Sequence, residues 1–353
     1  MSLATALIDW AERGRFPDVL VRAGVRQVIG ERRREIARLS DTDRRAETDA
    51  FLASMRTAPI AFDTDLANRQ HYEVPARFFE LVLGPRLKYS SCWFEGPSDT
   101  LARAEDRMLA LTCERAGLED GMQVLDLGCG WGSLSLWIAE HFPNCRVHAV
   151  SNSAVQAAFI RDRAHERGHG QLAVETSDMN VFEAPARFER VLSVEMFEHM
   201  RNWEQLLGRI AGWLAPNGQV FLHHFCHRQI AYPYEDAGDS DWMARNFFTG
   251  GMMPSEHLLA DVDSALHVEE QWFVPGHHYQ ATSEAWLRNL DAARDEVLAR
   301  FSEDLDEVEA RRAFGRWRLF FLAVAECFGV AGGNEWGVVH ARLAPPAAAP
   351  VAE

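Results

Sequence analysis

Lysine is almost missing from this chain. Lys88 is the only one, so arginine carries nearly all the positive charge in a set of 36 basic residues facing 52 acidic ones. That imbalance reads as codon bias in a GC-rich genome rather than as chemistry. At a formal net charge of -16 the chain has no basic surplus for nucleic-acid phosphates, and the same balance weighs against an anionic membrane surface. Paired cysteines are lacking too: Cys92, Cys113, Cys129, Cys145, Cys226 and Cys327 make no CxxC motif. The start, Met1-Ser2-Leu3-Ala4, has neither the charged nor the apolar part of a secretory signal. A reducing cytoplasm is the expected compartment. The longest apolar run, Leu319 to Ala325, is far below the ~20 residues of a membrane span, which excludes stable membrane insertion. Internal repeats are absent.

What the sequence does carry is ample apolar material, 47% of 353 residues, and one sharp local signal. The apolar strand Val124-Leu125-Asp126-Leu127 breaks into Gly128-Cys129-Gly130-Trp131-Gly132 just ahead of a helical pattern. Glycine is needed where φ is positive or where a ligand comes so close that a Cβ would collide. In an open α/β sheet that place is the carboxyl end of a central strand. A dinucleotide site reads G-x-G-x-x-G with an acidic ribose ligand about 20 residues on. Here the spacing is G-x-G-x-G behind Asp126, which resembles motif I of the S-adenosylmethionine-dependent methyltransferases. An ordinary strand-to-helix turn would use the same glycines, so the flanks decide.

Those flanks alternate. A helix from about Thr100 to Ala116, with Ser98 and Asp99 as cap candidates and Gly117 as its stop, leads into the motif. Strands at Gln123–Leu127, Arg146–Val150, Leu172–Glu175, Arg190–Val194 and Gln219–His223 are spaced by helices from Ser133, from Ala154 and over Trp203–Leu214. Such alternation predicts βαβ units and a doubly wound parallel sheet, an α/β fold. Residues 1–60 carry helical periodicity, with eleven arginines offset by nine acidic residues before Thr57, and read as a helical N-terminal extension packed on the main domain rather than as a membrane-touching helix or a lid. The main domain is expected over 61–343. Within it, 226–330 holds a polar, aromatic stretch from Tyr232 to Gly251 and helices at Ser283–Arg300 and Glu307–Phe328, a covering insertion flanked by strands at Val268–Val274 and Val338–Leu343. The Pro/Ala-rich tail, 344–353, is expected to be disordered.

After the second strand, Ser151, Asn152 and Gln156 can bond ribose hydroxyls, although Ser151 to Ser153 would serve equally as a helix cap. Asp178 and Met179, after the third, fall where an adenine ring would lie. Past the fourth strand comes Glu195-Met196-Phe197-Glu198-His199. If a helix begins there, Glu195, Glu198 and His199 share a face and form a proton-accepting cluster. A protonated amine has no lone pair and must lose a proton before it attacks a sulfonium methyl, and burial beside a second carboxylate tunes Glu or His for that role. Acids at a helix start also favour the macrodipole without any chemistry. A metal is not expected, because no second ligand cluster matches the spacing.

Taken in order, His71-Tyr72-Glu73-Val74-Pro75, Tyr89-Ser90-Ser91-Cys92-Trp93-Phe94, Val124 to Gly132, Ser193 to Met200 and Phe247-Phe248-Thr249-Gly250-Gly251 resemble the cyclopropane-fatty-acid-synthase-like methyltransferases, and most of all their coclaurine and pavine N-methyltransferase branch. The resemblance runs over roughly residues 65–343. It implies a class I, Rossmann-like methyltransferase with S-adenosyl-L-methionine as cofactor and S-adenosyl-L-homocysteine as product. It implies cofactor contacts at Tyr89, Ser90, Asp126, Gly128, Gly130, Gly132, Ser151, Asn152, Gln156, Asp178 and Met179, and an amine site of Glu195, Glu198 and His199. Trp93, His223, Phe225, Trp242, Phe247, Phe248 and Tyr279 are the expected substrate pocket, where cation–π attraction would help hold a cationic amine. The synthases of this superfamily hold a bicarbonate base with Cys, Glu, His and Tyr. Glu198, His223 and Tyr279 match three of these, and Ser91 stands where the Cys would be, which favours a small-molecule amine over a lipid. The expectation is an amine N-methyltransferase, with lipid cyclopropanation or C-methylation second and a non-catalytic cofactor-binding protein third. A homodimer is compatible with all three.

Overall fold

The computed structural model describes residues 3–62, 75–235, 238 and 241–346. Within the motifs above, 71–74 lie outside the described residues, as does 347–353 of the tail. Three helices come first: α1 (Leu3–Glu12), α2 (Asp18–Arg38) and α3 (Asp41–Thr57). α4 (Ala76–Val82) and α5 (Leu101–Arg115) precede the sheet. Its strands are β1 (Gln123–Leu127), β2 (Arg146–Ser151), β3 (Leu172–Thr176), β4 (Phe188–Val194), β5 (Leu214–His227), β6 (His267–Pro275) and β7 (Trp336–Ala344). Helices α6 (Ser133–His141), α7 (Ala154–Glu166) and α8 (Trp203–Trp213) connect the parallel strands, and α9 (His277–Ala292), α10 (Arg294–Phe301) and α11 (Glu307–Phe328) lie between β6 and β7.

The strand order is β3-β2-β1-β4-β5-β7-β6. The first five are parallel, β7 and β6 antiparallel. The chain leaves β1 toward one edge and returns to β4 toward the other, so β1 and β4 flank the switch point where open α/β sheets bind ligands. Val124, Leu125, Val191, Leu192, Val220 and Phe221 are wholly buried, as expected of strands covered on both faces.

Local chemistry sets several boundaries away from their expected places. Thr100, not Ser98 or Asp99, caps α5 by accepting from Arg103 N–H, while the Asp99 carboxylate is engaged by the Glu95 and Gly96 N–H groups and by Arg107. β5 begins at Leu214, straight out of α8, five residues earlier than its hydrophobic pattern indicates. The single helix expected over Ser283–Arg300 is two, starting at His277 and broken at Ala293.

The N-terminal helices pack on the domain through charge and close approach. Arg22 bonds Glu284 (2.6 Å) and Glu326 (2.8 Å), Arg318 bonds Asp18, and the buried Trp242 indole donates to Glu12 (2.7 Å). A Cβ on Gly315 would stand 1.6 Å from the Glu12 carbonyl oxygen, so α1 and α11 cross at backbone distance.

Candidate active site

The three motif glycines all have positive φ, but not all for the same reason. A Cβ on Gly128 would meet Met196 Cγ at 2.5 Å, and one on Gly132 would meet Ile160 at 2.7 Å. Only at Gly130 would it enter open space. Two of the glycines therefore make room for neighbouring side chains, and Gly130 alone presents a bare face to a cavity.

Two cavities adjoin along this loop. The first is lined by Lys88, Tyr89, Ser90, Asp126, Gly128, Gly130, Trp131, Gln156, Glu195, His199, Phe225, Phe248, Tyr279 and Phe320, among others. The second is lined by Ala61, Phe62, Gly128, Gly130, Ser151, Asn152, Gln156, Ser177, Met179, Glu195, Met196 and His199. Gly128, Gly130, Gln156, Glu195 and His199 border both. Gln156 is oriented for a ligand: Ser151 Oγ donates to its Oε1 (2.8 Å), and its buried Nε2 has no partner among the described residues. Asp126, wholly buried on β1, accepts from Ser135 Oγ at 2.5 Å, and burial lifts its carboxyl to about 6.

The acidic cluster differs from the helical face expected of it. Glu195, the first residue past β4, sits in the left-handed region at φ 48°, and only Phe197–His199 form a 3-10 turn. Such a backbone costs on the order of 1–3 kcal/mol and must be imposed by its surroundings. Here the imposing contacts are explicit. Glu195 N–H bonds the His223 carbonyl (2.7 Å). Its Oε1 accepts from Ser91 N–H (2.9 Å) and faces His223 Nε2 (3.1 Å), and its Oε2 accepts from Tyr279 Oη (2.6 Å). Glu198 Oε1 accepts from Phe225 N–H (2.6 Å), whereas its buried Oε2 has no partner among the described residues. Burial raises both carboxyls above their usual range. For Glu195 the Lys88 ammonium and the Tyr279 hydroxyl oppose that rise; for Glu198 the neighbouring Glu195 adds to it. His199 stacks on Phe248 at 5.6 Å and 11°, turning an imidazole and an aromatic face toward the same space.

Several expected site residues line neither of these two cavities among the described residues. Gly132 begins α6, and Asp178 accepts from Asn180 N–H while Ser177 and Met179 line the cavity beside it. Trp93 stacks on His278 (4.3 Å), Trp242 is tied to Glu12, Phe247 stacks on Phe320 (4.2 Å), and His223 is buried behind Glu195. Glu198 also stands behind the cavity wall. Conversely, Lys88, Phe320, Trp131, Ser177, Ala61 and Phe62 line the cavities without having been singled out. Of these, Lys88 stands out in the sequence as the sole lysine: it is 2% exposed, donates to Ser90 Oγ (2.5 Å) and to the Ser91 carbonyl (2.8 Å), and burial pulls its ammonium down. Among the described residues no group of acidic, His or Cys side chains could hold a metal, and no helix is long and apolar enough to cross a membrane.

Comparison with known proteins follows the same lines. Residues 63–330 match the family described as mycolic acid cyclopropane synthetase. The chain is 35% identical to (S)-coclaurine N-methyltransferase of Thalictrum flavum subsp. glaucum, over 96% of this chain and 95% of that one. It is 29% identical to cyclopropane-fatty-acyl-phospholipid synthase of Escherichia coli K12, over 78% and 68%. A crystal structure of coclaurine N-methyltransferase, bound to N-methylheliamine and S-adenosylhomocysteine, superposes with TM-score 0.94 and 34% identity, covering 97% of this chain and 99% of that one.

Proposed function

This chain belongs to the mycolic acid cyclopropane synthetase family and is an S-adenosylmethionine-dependent methyltransferase; on that footing we propose that it moves the methyl group to the nitrogen of a small aromatic amine, that is, a basic alkylamine that carries an aromatic ring. The observation that carries the reading is the pairing of Glu195, at the wall of an aromatic cavity with its carboxylate fully engaged, with Glu198, buried behind that wall with an Oε2 that has no partner among the described residues. The coclaurine N-methyltransferases, similar along nearly the whole chain, support an amine acceptor.

The cofactor fits what is present. The open face of Gly130 and the orphaned Gln156 Nε2 meet where the two cavities join, and hydroxyl and amide groups of Ser90, Ser151 and Asn152 border them. When bound, S-adenosylmethionine supplies an electrophilic methyl on a sulfonium. Gln156→Ala is expected to weaken S-adenosylhomocysteine binding about five- to tenfold, the worth of one buried hydrogen bond, measured by titration calorimetry.

The residues then divide the work. Phe225, Phe248, Tyr279 and Phe320 exclude water and offer faces to a cation. Glu195 supplies fixed negative charge beside both cavities. An amine arriving as ammonium gives its proton to His199 at the cavity wall, with the Glu198 carboxylate behind that wall as its final acceptor. The nitrogen lone pair so freed would take the methyl that the bound sulfonium would supply, the electron pair of the broken C–S bond staying with sulfur. Raised basicity makes Glu198 a better acceptor than an exposed carboxylate.

Lipid cyclopropanation fits less well. The Ser91 N–H, His223 Nε2 and Tyr279 hydroxyl that would surround an exogenous bicarbonate base are already occupied by the Glu195 carboxylate. Stripping bicarbonate from the assay is therefore expected to leave amine methylation unchanged. The proposed function is tested with methyl-labelled S-adenosylmethionine and a panel of secondary aromatic amines, phenols and aliphatic amines. Label is expected in the aromatic amines; transfer to phenols but to no amine would overturn the reading.

A further inference from the structure

Arg115, in the last turn of α5, lies with its guanidinium over Trp272 (4.9 Å) and Trp93 (6.0 Å) and reaches His340 Nδ1 at 2.9 Å. His340 Nε2 stands 2.9 Å from His223 Nδ1, the two histidines being register partners across β5 and β7. His223 Nε2 meets Glu195 Oε1 at 3.1 Å. Both imidazoles are buried, at 0% and 1% exposure.

The direction of this chain is forced. Guanidinium only donates, so His340 Nδ1 must accept. Its proton then sits on Nε2 and is given to His223 Nδ1. That leaves the His223 proton on Nε2, facing Glu195. Burial holds both histidines well below their ordinary range, so each keeps one N–H and no charge. Because the far end is an arginine, which takes up no proton, the chain cannot drain a proton away from the site; what it can do is fix a donor.

We propose that Arg115 and His340 are positioning residues of the active site, acting through His223 to present a fixed N–H to Glu195 Oε1 and so hold that carboxylate ionised and oriented at the cavity wall. The role given to the anion rests on the amine reading above; the tautomer lock does not. Other groups also face Glu195: Lys88 and Cys92 from the segment before α5, Glu198 and His199 from the 3-10 turn, His224 from β5 and Tyr279 from α9. Glu105 of α5 faces Lys88. None of these changes when Arg115 is substituted, so an effect that follows Arg115 reads the chain itself.

The test uses the full chain labelled with ¹⁵N-histidine, as wild type, Arg115→Leu and Arg115→Lys, with His340→Asn to identify the coupled pair. In the wild type both rings are expected to be neutral with the proton on Nε2. Arg115→Leu removes the donor that sets the order at His340 and leaves only the Glu195 carboxylate to favour it, so both rings are expected to gain a measurable share of the Nδ1–H form; Arg115→Lys, which still donates, restores the wild-type pattern. Glu195 then loses a donor that favours its ionised form, so the acid limb of the methyl-transfer pH profile moves upward by about one to two pH units in Arg115→Leu. Unchanged histidine tautomers in Arg115→Leu, or equal losses in both variants with the acid limb unmoved, would overturn the proposal. Shifted tautomers in a protein that methylates no amine would support the lock and count against the amine reading alone.

Discussion

Glu198→Gln is expected to lower kcat for amine methylation about 10²- to 10⁴-fold near neutral pH, the usual range for loss of a positioned base. The glutamine oxygen can still accept from Phe225 N–H as the Glu198 carboxylate does, so the fold and the cofactor cavity are expected to be retained. What disappears is the acceptor at Oε2, which burial and the neighbouring Glu195 make unusually basic. The defect should also depend on pH in a telling way. As pH approaches the amine's own pKa the free base becomes abundant, deprotonation by the protein matters less, and the gap between variant and wild type narrows. Steady-state rates across pH, with thermal unfolding as a control, check this; a uniform deficit at every pH would mean that Glu198 positions substrate and does not take its proton.

The largest stability effect is expected at Glu105→Ala. Glu105 is fully buried on α5, and its carboxylate accepts from the N–H groups of Gly84 (3.1 Å), Arg86 (2.9 Å) and Lys88 (3.2 Å). A Cβ on Gly84 would come within 2.4 Å of that carboxylate, so the loop is folded around it. Alanine leaves three donors without an acceptor, at about 1–3 kcal/mol for each buried orphan, and the loss is on the order of 3–6 kcal/mol. Because this loop delivers Lys88, Tyr89, Ser90 and Ser91, cofactor affinity should fall with it. The pH dependence has a definite sign. Burial lifts the folded-state carboxyl to about 7 from its ordinary value of 4.5, so in that window the native state binds more protons than the unfolded one. The stabilising contribution is therefore complete below about 4.5 and is lost as pH rises through about 7. Glu105→Gln removes this component, and unfolding curves taken across that interval for both proteins should differ in slope.

The sheet was legible in the sequence because buried parallel strands are short apolar runs punctuated by glycine and helix caps; Val124 to Leu127 and Arg190 to Val194 announce themselves in this way. Where a boundary slipped, a local bond decided it, as when Thr100 rather than Asp99 capped α5 because Arg107 and two loop N–H groups had claimed the aspartate. In the site, residues adjacent to strand ends could be named, since topology alone brings Gly130, Gln156, Glu195 and His199 to one edge. Residues whose role comes from packing could not. Trp93 and Trp242 look like pocket aromatics by composition, yet stacking on His278 and a bond to Glu12 place them elsewhere. The left-handed turn at Glu195 was invisible because glutamate rarely adopts it, and the Arg115–His340–His223 chain links residues far apart in sequence. Lys88 is the reverse case, a compositional oddity that lines the candidate site.

The central claim, that this site delivers methyl to nitrogen and not to a lipid alkene, is tested most directly by competition. The wild-type protein is given methyl-labelled S-adenosylmethionine with a secondary aromatic amine and unsaturated phospholipid vesicles in one bicarbonate-free reaction, and the label is traced by mass spectrometry. The account predicts label in the amine and none in the acyl chains. Label in the acyl chains with none in the amine would contradict it.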